Sequence, residues 1–142
     1  MAQHPGSGYR LLPHTADVIV EAFGPSLTAC LEAAVMGETA TFADVRGVEP
    51  TGERRVDVSA PSDEAMLVAA LEEVIFLLDA EDLVVVRAHL PVIGNRIIRA
   101  RFSTVDKTHV ALVGSPPKAV AYHELELRSD ARGYTCRFII DV

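Results

Sequence analysis

PSDEAMLVAALEEVIFLLDA, residues 61–80, is the stretch whose reading decides the fold. Leu67, Ala70, Leu71, Val74 and Leu78 recur at three- and four-residue spacing, the pattern of one apolar helix face. Ahead of them stand Pro61, Ser62, Asp63 and Glu64. These supply a capping hydroxyl and two first-turn acids where the helix dipole is positive. Such a helix needs a surface on which to bury its stripe. Downstream residues offer one, because the apolar period there becomes that of strands. Strands are predicted over 83–90, 97–105, 119–128 and 134–142, with a hairpin turn at Gly94-Asn95, residues that tolerate positive φ.

Upstream of the helix, VDVSA (56–60) reads as a short strand. Ser26 is placed to cap an earlier helix, in which Leu27, Leu31, Ala34 and Val35 keep helical spacing and which ends before Asp44. VIVEAFG (18–24) sets Val18, Val20 and Ala22 against Ile19, Glu21 and Phe23 and runs into a turn at Gly24-Pro25. Two helices with several mainly antiparallel strands predict an α+β, two-layer sandwich with both helices packed on one face of the sheet. No repeat, low-complexity run or long Pro/Gly/Ser linker divides the chain. Residues 1–8 are expected to be disordered and 9–142 to form a single domain.

The composition fits that expectation. Of 142 residues, 49% are hydrophobic and 23% charged, the balance of a chain that folds alone. The richest apolar stretch, 65–80, contains Glu72 and Glu73 and is too short to span a membrane. MAQHPGSGYR at the start lacks the apolar core of a secretory signal, so a cytoplasmic location is expected. Cys30 and Cys136 form no CxxC pair and fall on apolar faces, where reduced thiols pack as small hydrophobes; a cysteine-based zinc site is not expected. The formal net charge of −7 opposes phosphate backbones and favours cations and basic protein surfaces. RNA is therefore expected to be met only through a partner.

Candidate chemistry gathers at the ends of two strands. In PHTADV (13–18), His14 and Asp17 sit at the mouth of the first predicted strand, with Asp17 sharing a face with Ile19 and Phe23. The plainer explanation is local: His14, Thr15 and Asp17 satisfy nearby backbone donors. TCRFIIDV (135–142) is apolar almost to its end and closes on Asp141 beside the terminal carboxylate of Val142. That concentrates negative charge, which calls for a cation or for an arginine such as Arg137. Asp17 and Asp141 brought together would offer the hard oxygen ligands that Ca2+ or Mg2+ prefers, with Asp44 as a third. His123, in KAVAYHELEL (118–127), is more readily a hydrogen-bonded strand residue than a base. Arg96, Arg99 and Arg101 read as a solvated strand face or a small basic strip. No Gly-rich phosphate loop or nucleophile elbow occurs, which argues against an ordinary nucleotide-dependent enzyme.

The succession of GYRLLPHTADVIVEAFG (8–24), AYHELEL (121–127) and YTCRFIIDV (134–142) resembles the archease family. The resemblance implies an accessory protein of the GTP-dependent tRNA-splicing RNA ligase. Such a protein promotes guanylylation of the ligase's active-site histidine and its repeated turnover, and does not itself ligate RNA. It also implies divalent-metal positions at Asp17, Asp141 and Val142, with Asp44 matching the Asp of the loop after the first helix; His14 and His123 are supporting candidates from the residue reading alone. The metal would be Ca2+ or Mg2+/Mn2+. Phe42-Ala43-Asp44 stands where many relatives carry Met-Thr-Asp, and Ala121 where Thr is frequent. Two other classes compete: a stand-alone metal-dependent phosphoesterase using His14 or His123 as base, and a chaperone-like protein-binding module.

Overall fold

The structure is a computed structural model that describes residues 6–13 and 17–142. His14 lies outside the described residues. In chain order the elements are β1 (Gly8–Pro13), β2 (Val18–Gly24), α1 (Leu27–Ala40), β3 (Ala43–Asp44), β4 (Gly52–Ser59), α2 (Asp63–Glu81), β5 (Leu83–His89), β6 (Val92–Ile93), β7 (Ile97–Asp106), β8 (Ala111–Leu112), β9 (Ala119–Asp130) and β10 (Gly133–Asp141). The architecture is α+β with antiparallel pairing throughout. One sheet has the order β1-β2-β10-β9 and a second the order β4-β7-β5, with β6 also on β7; β3 and β8 form a two-residue ladder. Val20, Phe138 and Ile140 of the first sheet share one core with Ile98, Ala100 and Phe102 of the second and with both helices. Among the described residues no helix is long and apolar enough to cross a membrane.

Both helices begin where a serine can cap them. Ser26 accepts from the Ala29 N–H and Ser62 from the Ala65 N–H, each at 3.1 Å. In α2 the expected stripe is buried at Leu67, Ala70, Leu71 and Val74, joined by Met66, Val68 and Leu77, while Leu78 is half-buried. In α1 burial goes much further. Every residue from Ala29 to Thr39 is buried, because the helix packs on β1, β2 and β10 and also on β5 and α2. Gly37 permits the approach, since a Cβ there would lie 2.7 Å from Val20 Cγ1. Polar residues of α1 therefore need partners inside the protein. Glu32 accepts the Leu90 N–H at 2.9 Å and Thr39 donates to the Val85 carbonyl at 3.2 Å. Glu38 is different: among the described residues neither carboxyl oxygen has a hydrogen-bond partner.

Several elements depart from the pattern-based expectation. β1 was not anticipated; it is an edge strand beginning at Gly8 and pairing Leu12 with Ile19. β4 starts at Gly52 and not at Val56, since the exposed Glu53, Arg54 and Arg55 of this edge strand show no apolar alternation. β5 stops at His89 before Pro91, and the hairpin at residues 94–96 is made by β6 with β7. Its positive-φ positions are Gly94 and Arg96, not Asn95. The β9–β10 register shifts from Arg137↔Glu126 to Ile139↔Ala121, so residues 122–125 bulge opposite Phe138 alone. Glu124, at φ 61, takes the left-handed conformation that such a bulge demands. Cys30 and Cys136 are buried free thiols, and the Cys30 thiol lies 3.8 Å from the Ala22 carbonyl oxygen.

Candidate functional site

β2 and β10 lie side by side in the middle of the first sheet, with register Ile19↔Ile139 and Val18↔Ile140. One step beyond the last of these pairs lie Asp17, just ahead of β2, and Asp141, the last residue of β10. Residues two apart along a strand point to the same face of its sheet. By that alternation both aspartates follow Ile19 and Ile139, which with Ala121 and Leu12 form a small apolar cluster separate from the main core. Two residues far apart in the chain are thus brought to the same end of neighbouring strands, beside this small apolar cluster. Both are partly buried. β9 closes the other side: Ala119 pairs with Asp141, and the Lys118 N–H donates to the Asp141 carbonyl at 2.8 Å. Lys118, exposed and one step from this acid, is a neighbour that the sequence reading did not single out.

The arginine alternative for Asp141 is occupied elsewhere. Arg137 bonds Glu21 at 3.0 Å, and Arg10 adds a longer contact to Glu21 at 3.6 Å. Among the described residues no ion pair engages the Asp141 carboxylate. Val142 is partly buried and packs against the main core, so the end of β10 is anchored.

Asp44 is placed differently. It sits in β3, its Oδ1 and Oδ2 accept from the Arg46 guanidinium at 2.9 and 2.7 Å, and its Oδ1 also accepts the Arg46 N–H at 3.1 Å. Those side-chain and backbone hydrogen bonds hold its pKa down to about 2. The carboxylate is thus spoken for by an arginine within its own turn. His123 is exposed in the β9 bulge, next to Tyr122, which is 70% exposed. The bulge begins immediately after Ala121, on the same sheet end as Asp141. The bulge carries the core face from Val120 on an even position to Leu125 and Leu127 on odd ones, a parity change at His123-Glu124 that a single alternation read through residues 119–128 overlooks. Arg99 and Arg101 are exposed opposite buried Ile98, Ala100 and Phe102, and Arg99 lies 3.4 Å from Asp57, as a solvated face should.

The donor chemistry fits a hard cation at the strand ends: two carboxylates on neighbouring strands, with no sulfur near them. Among the described residues no three His, Cys, Asp or Glu side chains converge. A bound ion would complete its shell from backbone oxygens and water, as Ca2+ and Mg2+ both readily do.

Residues 9–142 match the model of the Archease protein family (MTH1598/TM1083). A probable protein archease of Mycobacterium tuberculosis (strain ATCC 25618 / H37Rv) is 36% identical over 143 residues, covering 99% of this chain and 79% of the relative. Protein archease of Thermococcus gammatolerans is 31% identical over 134 residues, covering 91% of this chain and 94% of that protein. Among solved structures, Methanobacterium thermoautotrophicum protein 1598 superposes with a TM-score of 0.74 at 22% identity, over 95% of this chain and 99% of that one. A Thermotoga maritima archease, described as a "possible chaperone", gives 0.65 at 19% identity, over 94% and 96%.

Proposed function

This chain belongs to the archease family, and from that premise we propose that it serves a GTP-dependent tRNA-splicing RNA ligase as an accessory protein, holding a divalent cation between Asp17 and Asp141. The observation that supports this reading is the register of β2 on β10, whose last pair, Val18 with Ile140, leaves Asp17 and Asp141 as the next residues on neighbouring strands, in a sequence with no phosphate loop or nucleophile elbow. A protein of this kind contributes charge and position to its partner's chemistry. When bound, the divalent ion would offset charge on GTP phosphates during guanylyl transfer.

The chain's own residues do the rest. Asp17 and Asp141 supply hard oxygens, and Ile19, Ile139 and Ala121 form the apolar cluster behind them. Phe138 and Ile140, buried in the core, fix the strand from which Asp141 projects. Val142 and Asp44 are the further donors that the family resemblance implies, and Asp44 would first have to release Arg46. Ca2+, Mg2+ and Mn2+ all suit this donor set.

Multiple-turnover ligation of RNA by the partner ligase tests the proposal. Folded Asp17→Ala and Asp141→Ala variants are expected to return the ligase to its unassisted rate; full stimulation by both refutes the reading. Phosphoesterase activity of the purified protein alone would instead favour a metal-dependent hydrolase using His14 or the exposed His123. A chaperone-like module would bind its partner equally well in the presence of a chelator.

A further inference from the structure

We propose that the groove between the C-terminal end of α2 and residues 112–117 is a docking site for the ligase partner, taking an apolar side chain that the partner presents between basic residues. This rests on the accessory reading above. The groove, about 230 Å³, is walled by Phe42, Leu78, Leu112, Gly114, Pro116 and Pro117. Leu112 is 59% exposed, although it sits on fixed backbone. Leu112 is paired with Ala43 in the short β3–β8 ladder, and the Val113 N–H donates to the Phe42 carbonyl at 2.9 Å. Gly114 then passes so close to Thr41 that a Cβ would come within 2.2 Å of the Thr41 carbonyl oxygen. A large aliphatic side chain held out on a pinned strap costs little further ordering when a partner covers it.

The rim decides which partner. Asp79 and Asp82 face the groove against a single cation, Lys107, which is already paired with Asp82 at 2.9 Å. Asp79 has no ion-pair partner among the described residues. The last turn of α2 holds no basic residue, so the negative end of its dipole adds to the same field. An apolar slot with an acidic rim is complementary to a leucine, methionine or phenylalanine flanked by lysine or arginine. The strap also links this slot to the strand-end acids. It leaves Phe42 at Val113 and reaches Asp141 at Lys118, so a partner seated in the groove has its surface led toward Asp17 and Asp141.

Titrating the purified partner RNA ligase with fluorescently labelled protein, at low and at physiological salt, tests the site. Leu112→Glu and Asp79→Lys are each expected to weaken binding by about tenfold or more, and Asp79→Lys to flatten the salt dependence as well. Both positions are exposed, so both variants should keep the wild-type melting temperature; that measurement separates loss of docking from loss of fold. Asp17→Ala and Asp141→Ala are expected to bind the ligase normally while failing to stimulate it. An affinity unchanged by either groove substitution overturns the docking site and leaves the accessory function standing. Failure of the wild-type protein to bind the ligase at all overturns both.

Discussion

Phe138→Ala is expected to lower the free energy of unfolding by about 3–5 kcal/mol. The ring is fully buried in the main core on β10, paired with Val20 of β2, and its other neighbour strand bulges away over residues 122–125. A bulge weakens the ladder at that point, so packing beneath it has to hold β9 and β10 in place. Losing the ring leaves a cavity that the surrounding Leu31, Leu67 and Ile140 can fill only in part. For a domain whose total stability is on the order of 5–15 kcal/mol, that loss is large. Urea denaturation followed by circular dichroism reads it as a fall in the midpoint. A midpoint within error of wild type would mean that the core does not close on Phe138 as described. Because Asp141 stands three residues further along the same strand, the substitution should also loosen the acidic pair.

Glu38→Met is expected to stabilise the protein at neutral pH, by on the order of 1–3 kcal/mol, the usual cost of a buried polar group left without partners. Glu38 is completely buried in α1, and among the described residues nothing bonds its oxygens. Burial, and secondarily the charge of Glu72 on α2, raises its pKa well above the ordinary carboxyl range. In the unfolded chain the same carboxyl ionises at its usual value. Between those two limits the folded state keeps a proton that the unfolded state has released, so this residue's contribution falls as pH rises toward the folded pKa. Below the unfolded pKa both states are protonated and the effect is absent. Stability measured from pH 5 to pH 8 should therefore decline more steeply in wild type than in Glu38→Met, by up to about 1.4 kcal/mol per pH unit. Parallel curves for the two proteins contradict a neutral, buried Glu38.

How much of this was legible in the sequence follows from which residues carry a local signal. Ser26 and Ser62 announce both helix starts because a cap is a short-range interaction, and the stripe of α2 is visible because only one side of that helix is covered. α1 was legible as a helix but not as a central one. Glu32 and Glu38 look like a solvated face, and only the tertiary arrangement, with β2 on one side and β5 on another, puts them inside. β1 and the first half of β4 are edge strands with exposed charged residues, so their periodicity is masked. β3 and β8, two residues each, have no pattern to detect. For the site, the identities of Asp17 and Asp141 could be read from strand ends, but their meeting depends on β10 lying beside β2, a pairing across more than a hundred residues. Asp44 shows the converse: its hydrogen bonds to the Arg46 fork two residues later are a side-chain contact that no periodicity announces.

The central claim is that Asp17 and Asp141 together hold one divalent cation. Titrating the purified protein with Mn2+ and following free ion by electron paramagnetic resonance measures this without any ligase. One ion should bind per chain, Ca2+ should displace it, and Asp17→Asn or Asp141→Asn should each weaken binding by about tenfold or more while leaving the melting temperature of the metal-free protein unchanged. Equal Mn2+ affinity in wild type and both variants, or no binding by wild type at all, contradicts it.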